Sequence, residues 1–262
     1  MTARAFLVRG LLAGLLAGFA TFFVAHQVGE PHVETAIALE EAGSSDHTHA
    51  ADADESSTGH THAEDGTVVS RFDQRTWGLL TGSVAIGVAL GGIVALVAAG
   101  VAGRIRSLSL RQSTAVVATI GFVAVALVPF LKYPATPPAV GNADTIGART
   151  GEYFGFLLVS VVAAVLATAL AVRLVRQVGA YAGVVIGIAT YLVVMVVAGQ
   201  VFPTVNEIGD FPADVLWYFR RASIITLATM WGVLGVLLVG FLGRLADQET
   251  ATARRRELAA SL

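Results

Sequence analysis

The sequence has no cysteine, only one lysine, Lys132, and few charged side chains of either sign. The absence of cysteine excludes disulfides, thiolate metal sites and cysteine nucleophiles. Because Lys132 lies in the string FLKYP, the chain also lacks a Walker-type phosphate loop, which needs a lysine after a glycine-rich turn. Only 14% of the 262 residues are charged and 55% are hydrophobic, too little polar surface for a soluble globule of this size. The composition therefore predicts an integral membrane protein.

Six apolar segments are long enough to cross about 30 Å of hydrocarbon at about 1.5 Å per residue. They run approximately over Ala5–Ala25, Trp77–Gly103, Ser113–Leu131, Tyr153–Leu174, Tyr181–Val201 and Ser223–Leu242. Lipid offers the backbone no hydrogen-bond partner, and the segments lack the alternation of barrel strands, so all six are predicted to be α-helices. The predicted fold class is an all-α integral membrane protein, a bundle of six transmembrane helices with one long disordered outer loop that is acidic and rich in histidine.

The predicted segments divide the chain into four parts. Residues 1–26 form the first transmembrane helix, 27–76 an extracytoplasmic loop with a histidine-rich segment at 44–66, 77–243 a bundle of five further helices, and 244–262 a cytoplasmic tail. Arg4 and Arg9, followed by the string GLLAGLLAGFATFFVA, also resemble the start of a secretory signal peptide. Phe23 stands where a small residue would be needed before a cleavage site, which favours retention of the first helix. Its removal would leave five helices.

Basic residues are divided unequally between the two sets of connecting segments. The set that includes both termini holds 11 of the 17 basic residues and 3 of the 19 acidic residues, and the other set holds the rest. Since positively charged connections stay inside, both termini are predicted to be cytoplasmic, in a multi-pass protein of the cell (inner or plasma) membrane. The outer face then carries a formal charge of −10 and the inner face +8.

Glycines recur every four residues at three places in the apolar segments. The rows are Gly10, Gly14 and Gly18, then Gly147, Gly151 and Gly155, and finally Gly179, Gly183 and Gly187. Such rows let helix backbones approach closely where there is no hydrophobic force between helices. They predict a tightly packed bundle. The alternatives are a homo-oligomer formed through the same rows and a docking seam for another membrane protein.

The stretch Ser44 to Gly66, SSDHTHAADADESSTGHTHAEDG, holds four of the six histidines. His47 with His49, and His60 with His62, can each turn toward one ion from an extended backbone, and the flanking carboxylates of Asp46, Glu64 and Asp65 add oxygen ligands. The stretch has no large apolar side chain to offset the entropy lost on ordering, so it is predicted to be disordered without a ligand. The alternative is a solvating acidic loop with incidental histidines.

Two further outer segments carry candidate metal ligands. Gly29 and Pro31 are expected to interrupt the first helix, and Pro31 to open an interfacial helix whose start is crowded by Glu30, His32 and Glu34. The string VNEIGDFPADVLWYFRRAS contributes Glu207, Asp210 and Asp214. With the string LKYPATPPAVG they could complete an outer vestibule in which carboxylates raise the local concentration of divalent cations. The alternatives are a helix resting on the headgroups, Asp210 as a helix cap, and neutralisation by Arg220 and Arg221.

The chain resembles the CbtA family of probable cobalt transporter subunits. The resemblance rests on RGLLAGLLAG leading to GEPHVETAIALEE, on PFLKYPATPPAVG and on FPADVLWYFRRAS, and it covers the chain except for the histidine-rich loop. It implies a membrane protein that takes part in cobalt uptake for cobamide synthesis, with a transported divalent ion and no permanently bound cofactor. The partner that the resemblance implies is commonly a small single-helix CbtB-like subunit. The family is often described with five helices, whereas six apolar segments are counted here.

The predicted function is that of a membrane subunit of a divalent-metal uptake system, with cobalt as the ion. The acidic, histidine-rich outer face would capture the ion and pass it across the bilayer together with a small partner. The central part of each predicted helix lacks ionisable side chains, which disfavours a proton-coupled carrier. The same absence favours the alternative, a non-transporting scaffold or metal sensor that regulates a separate transporter. Neither an enzymatic activity nor a nucleic-acid partner is predicted.

Overall fold

The computed structural model describes residues 2–48, 69–105 and 108–261. These residues contain six helices long and apolar enough to cross a membrane and contain no strand, which confirms the predicted all-α fold. The helices are α1 (Ala3–Ala42), α2 (Arg71–Val101), α3 (Leu110–Lys132), α4 (Ala143–Val178), α5 (Ala180–Val201) and α6 (Ala213–Ala260). Most of the segment predicted to be disordered, with His49, His60 and His62, lies outside the described residues.

Several helix ends follow from local sequence. The side chain of Ser109 accepts a hydrogen bond from the backbone of Gln112, whose side chain accepts in return from the backbone of Ser109, and this capping box starts α3. Gly179, at φ +91°, is the single residue between α4 and α5, a backbone conformation that favours glycine. Pro212 precedes α6, and no side chain caps that helix. The alternative reading of Asp210 as its cap is therefore wrong, because Pro212 occupies the N-cap position and has no side-chain acceptor.

Wider turns accommodate the prolines of α1 and α3. Ala25–Gly29 is a π-helical turn in which the Glu30 N–H donates to the Ala25 carbonyl, five residues back. Phe122–Leu127 is another, and there the Val128 N–H donates to the Val123 carbonyl. Pro31 and Pro129 each follow two residues after the wide turn. Since a proline lacks the N–H and collides with the carbonyl four residues back, the extra residue per turn relieves both problems.

The continuity of α1 corrects one prediction. Helical structure runs on from the π turn through Glu30–Thr48, so Gly29 and Pro31 do not interrupt the helix and no separate interfacial helix begins there. The sequence signals of a break and of a widened turn are the same, a glycine and a proline close together. The acidic residues that follow are therefore presented on a rigid extension of α1.

The backbones of α1 and α2 meet along a glycine seam. A Cβ on Gly14 would lie 2.7 Å from the Gly87 carbonyl carbon, and a Cβ on Gly91 would lie 2.8 Å from the Gly14 Cα. Gly18 meets α2 farther toward its start, at Val84, so the two helices run antiparallel. Close packing within the bundle is thereby confirmed for the first predicted glycine row. The matching glycines of α2 were not predicted from the sequence.

The other two glycine rows differ in their surroundings. Gly183 and Gly187 of α5 face Val175 and Ala171 of α4, so this row also lies within the bundle. A Cβ on Gly147 or Gly151 would meet no atom within 4 Å in the described part of the chain. Only the last member of that row, Gly155, faces another segment, at the Phe202 ring. The α4 row is therefore mostly outside the packed interior.

The buried core has two parts. The first centres on α6, where Leu234, Leu238 and Leu242 have no exposed surface and pack with residues of α1 and α2. The second lies between α3, α4 and α5 and includes Phe156 and Tyr191. In it the Ser160 hydroxyl donates to the Ala124 carbonyl at 2.7 Å and lies 2.9 Å from the Tyr191 hydroxyl.

The helix ends form two opposite surfaces of the bundle. The acidic end comprises residues 26–34, 71–79, 131–153 and 200–221, and the arginine end comprises residues 2–10, 98–105, 108–111, 173–183 and 242–260. At the arginine end, Arg111 and Asp247 form an ion pair of 2.5 Å that joins α3 to α6. At the acidic end the helices surround a large, partly open cavity.

Candidate functional site

A cavity of about 970 Å³ lies at the acidic end among α1, α2, α3, α4 and α6. Leu79 and Leu90 of α2 both line it. Since they are eleven residues apart, the cavity extends about 16 Å along the helix axis. That depth is about half of the roughly 30 Å hydrocarbon thickness of a bilayer. The deeper wall is apolar and includes Val125, Leu227 and Trp231.

The charged side chains of the cavity are mostly basic. They are Glu30, Lys132, Arg149, Glu207 and Arg220, so the lining carries one more positive than negative charge. The outer face as a whole was predicted to attract cations because of its acidic residues. The lining of the cavity itself has a formal charge of the opposite sign, which does not favour a cation.

Two carboxylates of α1 are paired with two arginines of α2. Glu30, whose side chain is 13% exposed, forms an ion pair with Arg71, and Glu34 forms one with Arg75 at 2.6 Å. The two glutamates are four residues apart and therefore lie on one face of α1, one turn from each other. The two arginines are related in the same way on α2. The two ion pairs fix the extension of α1 against the start of α2.

His32 does not join these carboxylates. Two residues along an α-helix correspond to a rotation of about 200°, so His32 lies on the opposite side from Glu30 and Glu34. Its ring stacks on Tyr218 of α6, with 5.9 Å between centroids, and the Arg221 guanidinium lies 4.8 Å from the Tyr218 centroid. The structure thus places the three predicted ligands of this segment in two different sets of contacts.

Glu207 ties the connection before α6 to the start of α4. Its Oε2 accepts from the Asn142 N–H at 2.9 Å and from the Thr145 hydroxyl at 3.0 Å, and it lies 3.5 Å from Arg149 Nε. The backbone hydrogen bond from Asn142, then that from Thr145 and the charge of Arg149, lower the pKa of Glu207 below its usual value. This carboxylate is therefore held ionised, and its charge is balanced by Arg149.

Gly141 fits closely beside the same arginine. It has φ +110°, and a Cβ there would meet the guanidinium of Arg149. Arg149 also donates from Nη2 to the Asn142 carbonyl at 3.1 Å. The predicted vestibule string LKYPATPPAVG thus ends in a glycine whose conformation and missing side chain both make room for Arg149.

Lys132 holds the end of α3 against the end of α5. Its Nζ donates to the Gly199 carbonyl at 2.8 Å and to the Phe202 carbonyl at 3.0 Å, two of the last carbonyls of the α5 segment. Next to it, the Tyr133 hydroxyl donates to the Pro203 carbonyl at 2.8 Å. The lysine is therefore a connection between helices rather than a free cation of the cavity.

Glu152, which was not a predicted site residue, lies near Tyr133. Its Oε2 is buried and has no hydrogen-bond partner within the described ranges. Burial, and secondly the charge of Glu152, raise the pKa of the Tyr133 hydroxyl, which stays protonated. Only the fold shows this proximity, since Tyr133 follows the end of α3 and Glu152 lies in α4.

Arg220 is held less firmly than the other basic groups of the cavity. Its Nε lies 3.4 Å from the Ala135 carbonyl, and it has no carboxylate partner in the part of the chain that the structure describes. The sequence analysis assigned Arg220 only to neutralising nearby acids. One sequence feature indicated that Arg220 could lie in a cavity. It directly follows a run of aromatic residues, where the apolar part of α6 begins.

The predicted metal ligands are not brought together among the described residues. Glu30 and Glu207 line the cavity, whereas Asp210 and Asp214 are exposed at the surface. Within residues 2–48, 69–105 and 108–261 there is no group of three His, Asp or Glu side chains that could hold a metal ion. The side chain of His47, and all of His49, His60 and His62, lie outside what the structure describes.

A protein-family model matches most of the chain. The model of a family described as "Probable cobalt transporter subunit (CbtA)" matches residues 3–243. No curated protein and no solved structure matches the chain. The matched range contains the apolar part of all six helices and every residue of the cavity lining.

Proposed function

The chain belongs to the CbtA family of probable cobalt transporter subunits, and from this membership we propose that it is the membrane subunit of an uptake system for a divalent metal ion, cobalt. The family match over residues 3–243 is the observation that carries the proposal. The word subunit in the family description supports a partner, for which we propose a small single-helix CbtB-like protein. The cobalt ion is cargo, and we propose no permanently bound cofactor and no enzymatic activity.

The proposed route begins at the acidic end, on the outer side of the cell membrane, with both termini in the cytoplasm. The uneven distribution of arginine between the two ends supports this orientation. Glu30, Glu34 and Glu207 lie in ion pairs, so they are less available to a metal ion than exposed carboxylates. We therefore assign capture chiefly to the histidine pairs of segment 44–66, supported by Asp210 and Asp214.

The test is metal accumulation in cells that lack the gene. We expect less cell-associated cobalt and poorer cobamide-dependent growth at limiting cobalt, and both should return with the unchanged gene. Deletion of residues 44–66 should lower uptake at limiting cobalt and matter less at high cobalt. A matched control replaces His47, His49, His60 and His62 by asparagine and keeps the acidic residues. Unchanged cobalt content and growth without the gene would reject the proposed function.

The pH dependence of metal binding separates histidine from carboxylate capture. Only neutral imidazole binds a metal, so affinity should fall as pH decreases through about 6.5. The measurement is cobalt binding to purified protein from pH 7.5 to 5.5, with the asparagine variant alongside. A titration that stays flat over this range would assign capture to carboxylates instead.

A second candidate function is that of a scaffold or metal sensor that regulates a separate transporter. Two observations favour it: no three-ligand group occurs among the described residues, and the cavity has a positive balance of charge. Purified protein in metal-loaded vesicles, alone and with its partner, distinguishes the two functions. Cobalt flux through this chain alone argues against a scaffold, whereas no flux in either preparation favours it.

A further inference from the structure

The cavity is too large and too apolar to be shaped for a bare metal ion. One water molecule takes about 30 Å³ in the liquid, so a divalent ion with six waters needs on the order of 200 Å³. The cavity volume is about 970 Å³. Pockets that bind organic ligands measure roughly 300–1,000 Å³ and are lined mainly by apolar groups around a few polar ones. The dimensions therefore fit an organic molecule.

The charges of the cavity indicate the sign of that molecule. Of its three basic side chains, Lys132 donates to two backbone carbonyls and Arg149 lies beside Glu207. Arg220 has no carboxylate partner among the described residues, and its one hydrogen bond there is to the Ala135 carbonyl, at 3.4 Å. A guanidinium inside a mostly apolar cavity pairs most favourably with an anion, to which it can donate two parallel hydrogen bonds.

The distance between Arg220 and the deep wall of the cavity indicates the length of the ligand. Trp231 lies eleven residues farther along α6, about 16 Å at 1.5 Å per residue. Both residues line the same cavity, and the wall around Trp231 is apolar. A ligand with an acidic group at Arg220 would therefore present an apolar body of about this length to Trp231.

We propose that the cavity binds an amphipathic organic anion, with its acidic group paired to Arg220 and its apolar body directed toward Trp231. This site goes beyond metal capture and does not depend on it. A lipid from the bilayer and a water-soluble organic complex of a metal share the required chemistry, an acidic group on an extended organic body. The role of the cavity is then to hold an organic molecule inside the bundle.

The test uses quenching of tryptophan fluorescence by a brominated chain, which acts at contact distance. Trp77 and Trp217 are 66% and 65% exposed and do not line the cavity, so replacing both by phenylalanine leaves Trp231 as the only reporter. The protein is reconstituted in phosphatidylcholine and titrated with 12-bromododecanoate. The matched neutral probe is 12-bromododecanol, which has the same chain and no charge.

We expect saturable quenching by the acid and only weak, non-saturable quenching by the alcohol. Arg220→Gln should raise the half-saturating concentration of the acid about tenfold or more, as for loss of a charge-assisted hydrogen bond. Arg221→Gln removes the same charge one residue away, outside the cavity lining, and should change it by less than about twofold. Equal quenching by the acid and the alcohol, or equal effects of the two substitutions, would overturn the proposal.

The acid and alcohol are compared on protein with an intact Arg220, so this test does not require the variant to fold. Arg220→Lys, which keeps the charge, should retain most of the binding. Competition identifies the source of the natural ligand. Relief of quenching by phosphatidylglycerol assigns it to the bilayer, whereas relief by the water-soluble amphipathic anion octanoate, with none by phosphatidylglycerol, assigns it to a water-soluble molecule.

Discussion

Individual side chains at the acidic end mostly hold segments together. Glu30, Glu34 and Glu207 lie beside Arg71, Arg75 and Arg149. Lys132, the only lysine, bonds two carbonyls at the end of α5. Three of the predicted metal ligands thus have structural contacts, and those contacts can be tested one side chain at a time.

The lowered pKa of Glu207 predicts how stability depends on pH. A carboxyl group whose pKa is lower in the folded than in the unfolded protein stabilises the fold above its ordinary pKa of about 4.3. The contribution disappears as pH falls through the lower, folded value. Glu207→Gln should therefore unfold at a lower temperature than the unchanged protein at pH 7, and the difference should shrink below about pH 4.

The measurement is the midpoint of thermal unfolding by circular dichroism between pH 7 and 3. Gln keeps an acceptor for Asn142 and Thr145 but has no charge for Arg149. The comparison therefore isolates the contribution of the carboxylate charge to stability. A difference between the two proteins that stays constant over the whole range would show that Glu207 does not titrate as its contacts imply.

Replacing Lys132 tests the connection between α3 and α5. Lys132→Met keeps the apolar stem but leaves the Gly199 and Phe202 carbonyls without this donor. Hydrogen bonds to charged groups contribute about 1.5–3 kcal/mol, so we expect a loss of that order in the free energy of unfolding. The control Arg221→Met removes an exposed cation over Tyr218, worth about 1 kcal/mol or less. Equal losses in detergent denaturation would contradict the assignment.

Among the helices, the backbones of α1 and α2 approach each other most closely, because glycine faces glycine across their contact. The seam involves Gly14 and Gly18 on α1 and Gly87 and Gly91 on α2. Without a hydrophobic force between helices, close backbone contact and dispersion supply the attraction. This explains why α1 is part of the bundle interior, with Ala13 and Ala17 fully buried.

A single methyl group in this seam should weaken the bundle. Gly87→Ala places a Cβ against the backbone of α1, 2.9 Å from the Gly18 nitrogen, and overpacking of this kind costs about 1–3 kcal/mol. Gly100→Ala, on the same helix, meets no atom within 4 Å and should be neutral, or more stable by up to about 1 kcal/mol because of helix propensity. Detergent-induced unfolding followed by circular dichroism measures both. Similar losses in the two variants would argue against close contact.

The sequence was sufficient to predict the helices but not their detailed contacts. Length and apolar composition identify all six, since a span needs about 20 apolar residues whatever it packs against. The pairing of Glu30 with Arg71 was not predictable, because it requires both that α1 continue past Pro31 and that α2 begin at Arg71, earlier than the apolar run. Arg220 became significant only when the fold placed it in a cavity. Local patterns carry no information about such distant neighbours.

The whole molecule is polar at two ends and apolar between them. The six helices place the N-terminus of α1 and the C-terminus of α6 at the arginine end. The cavity lies at the other end. Its lining has a net positive formal charge, and the surface around it is rich in acidic residues. Electrostatic attraction of cations at the surface and binding of an anion in the cavity are therefore compatible in one molecule.

Cysteine labelling can test the orientation of the whole chain. Because the natural sequence has no cysteine, each introduced cysteine is the only reactive thiol. We expect Asp210→Cys to react with a membrane-impermeant maleimide in intact cells, and Thr252→Cys to react only after permeabilisation. The reverse pattern would place the acidic end in the cytoplasm and remove the basis for capture of external ions. Labelling after denaturation confirms that both variants are present.

The length of α6 has a mechanical consequence. Its 48 residues form one uninterrupted helix that borders the cavity near one end and carries Arg254, Arg255 and Arg256 near the other. At 1.5 Å per residue the rod is about 72 Å long, more than twice the hydrocarbon thickness. A tilt of about 5° at the cavity would swing the far tip by roughly 6 Å, by simple leverage over that length. A ligand that tilted α6 at the cavity would therefore displace the three arginines on the other side of the bilayer.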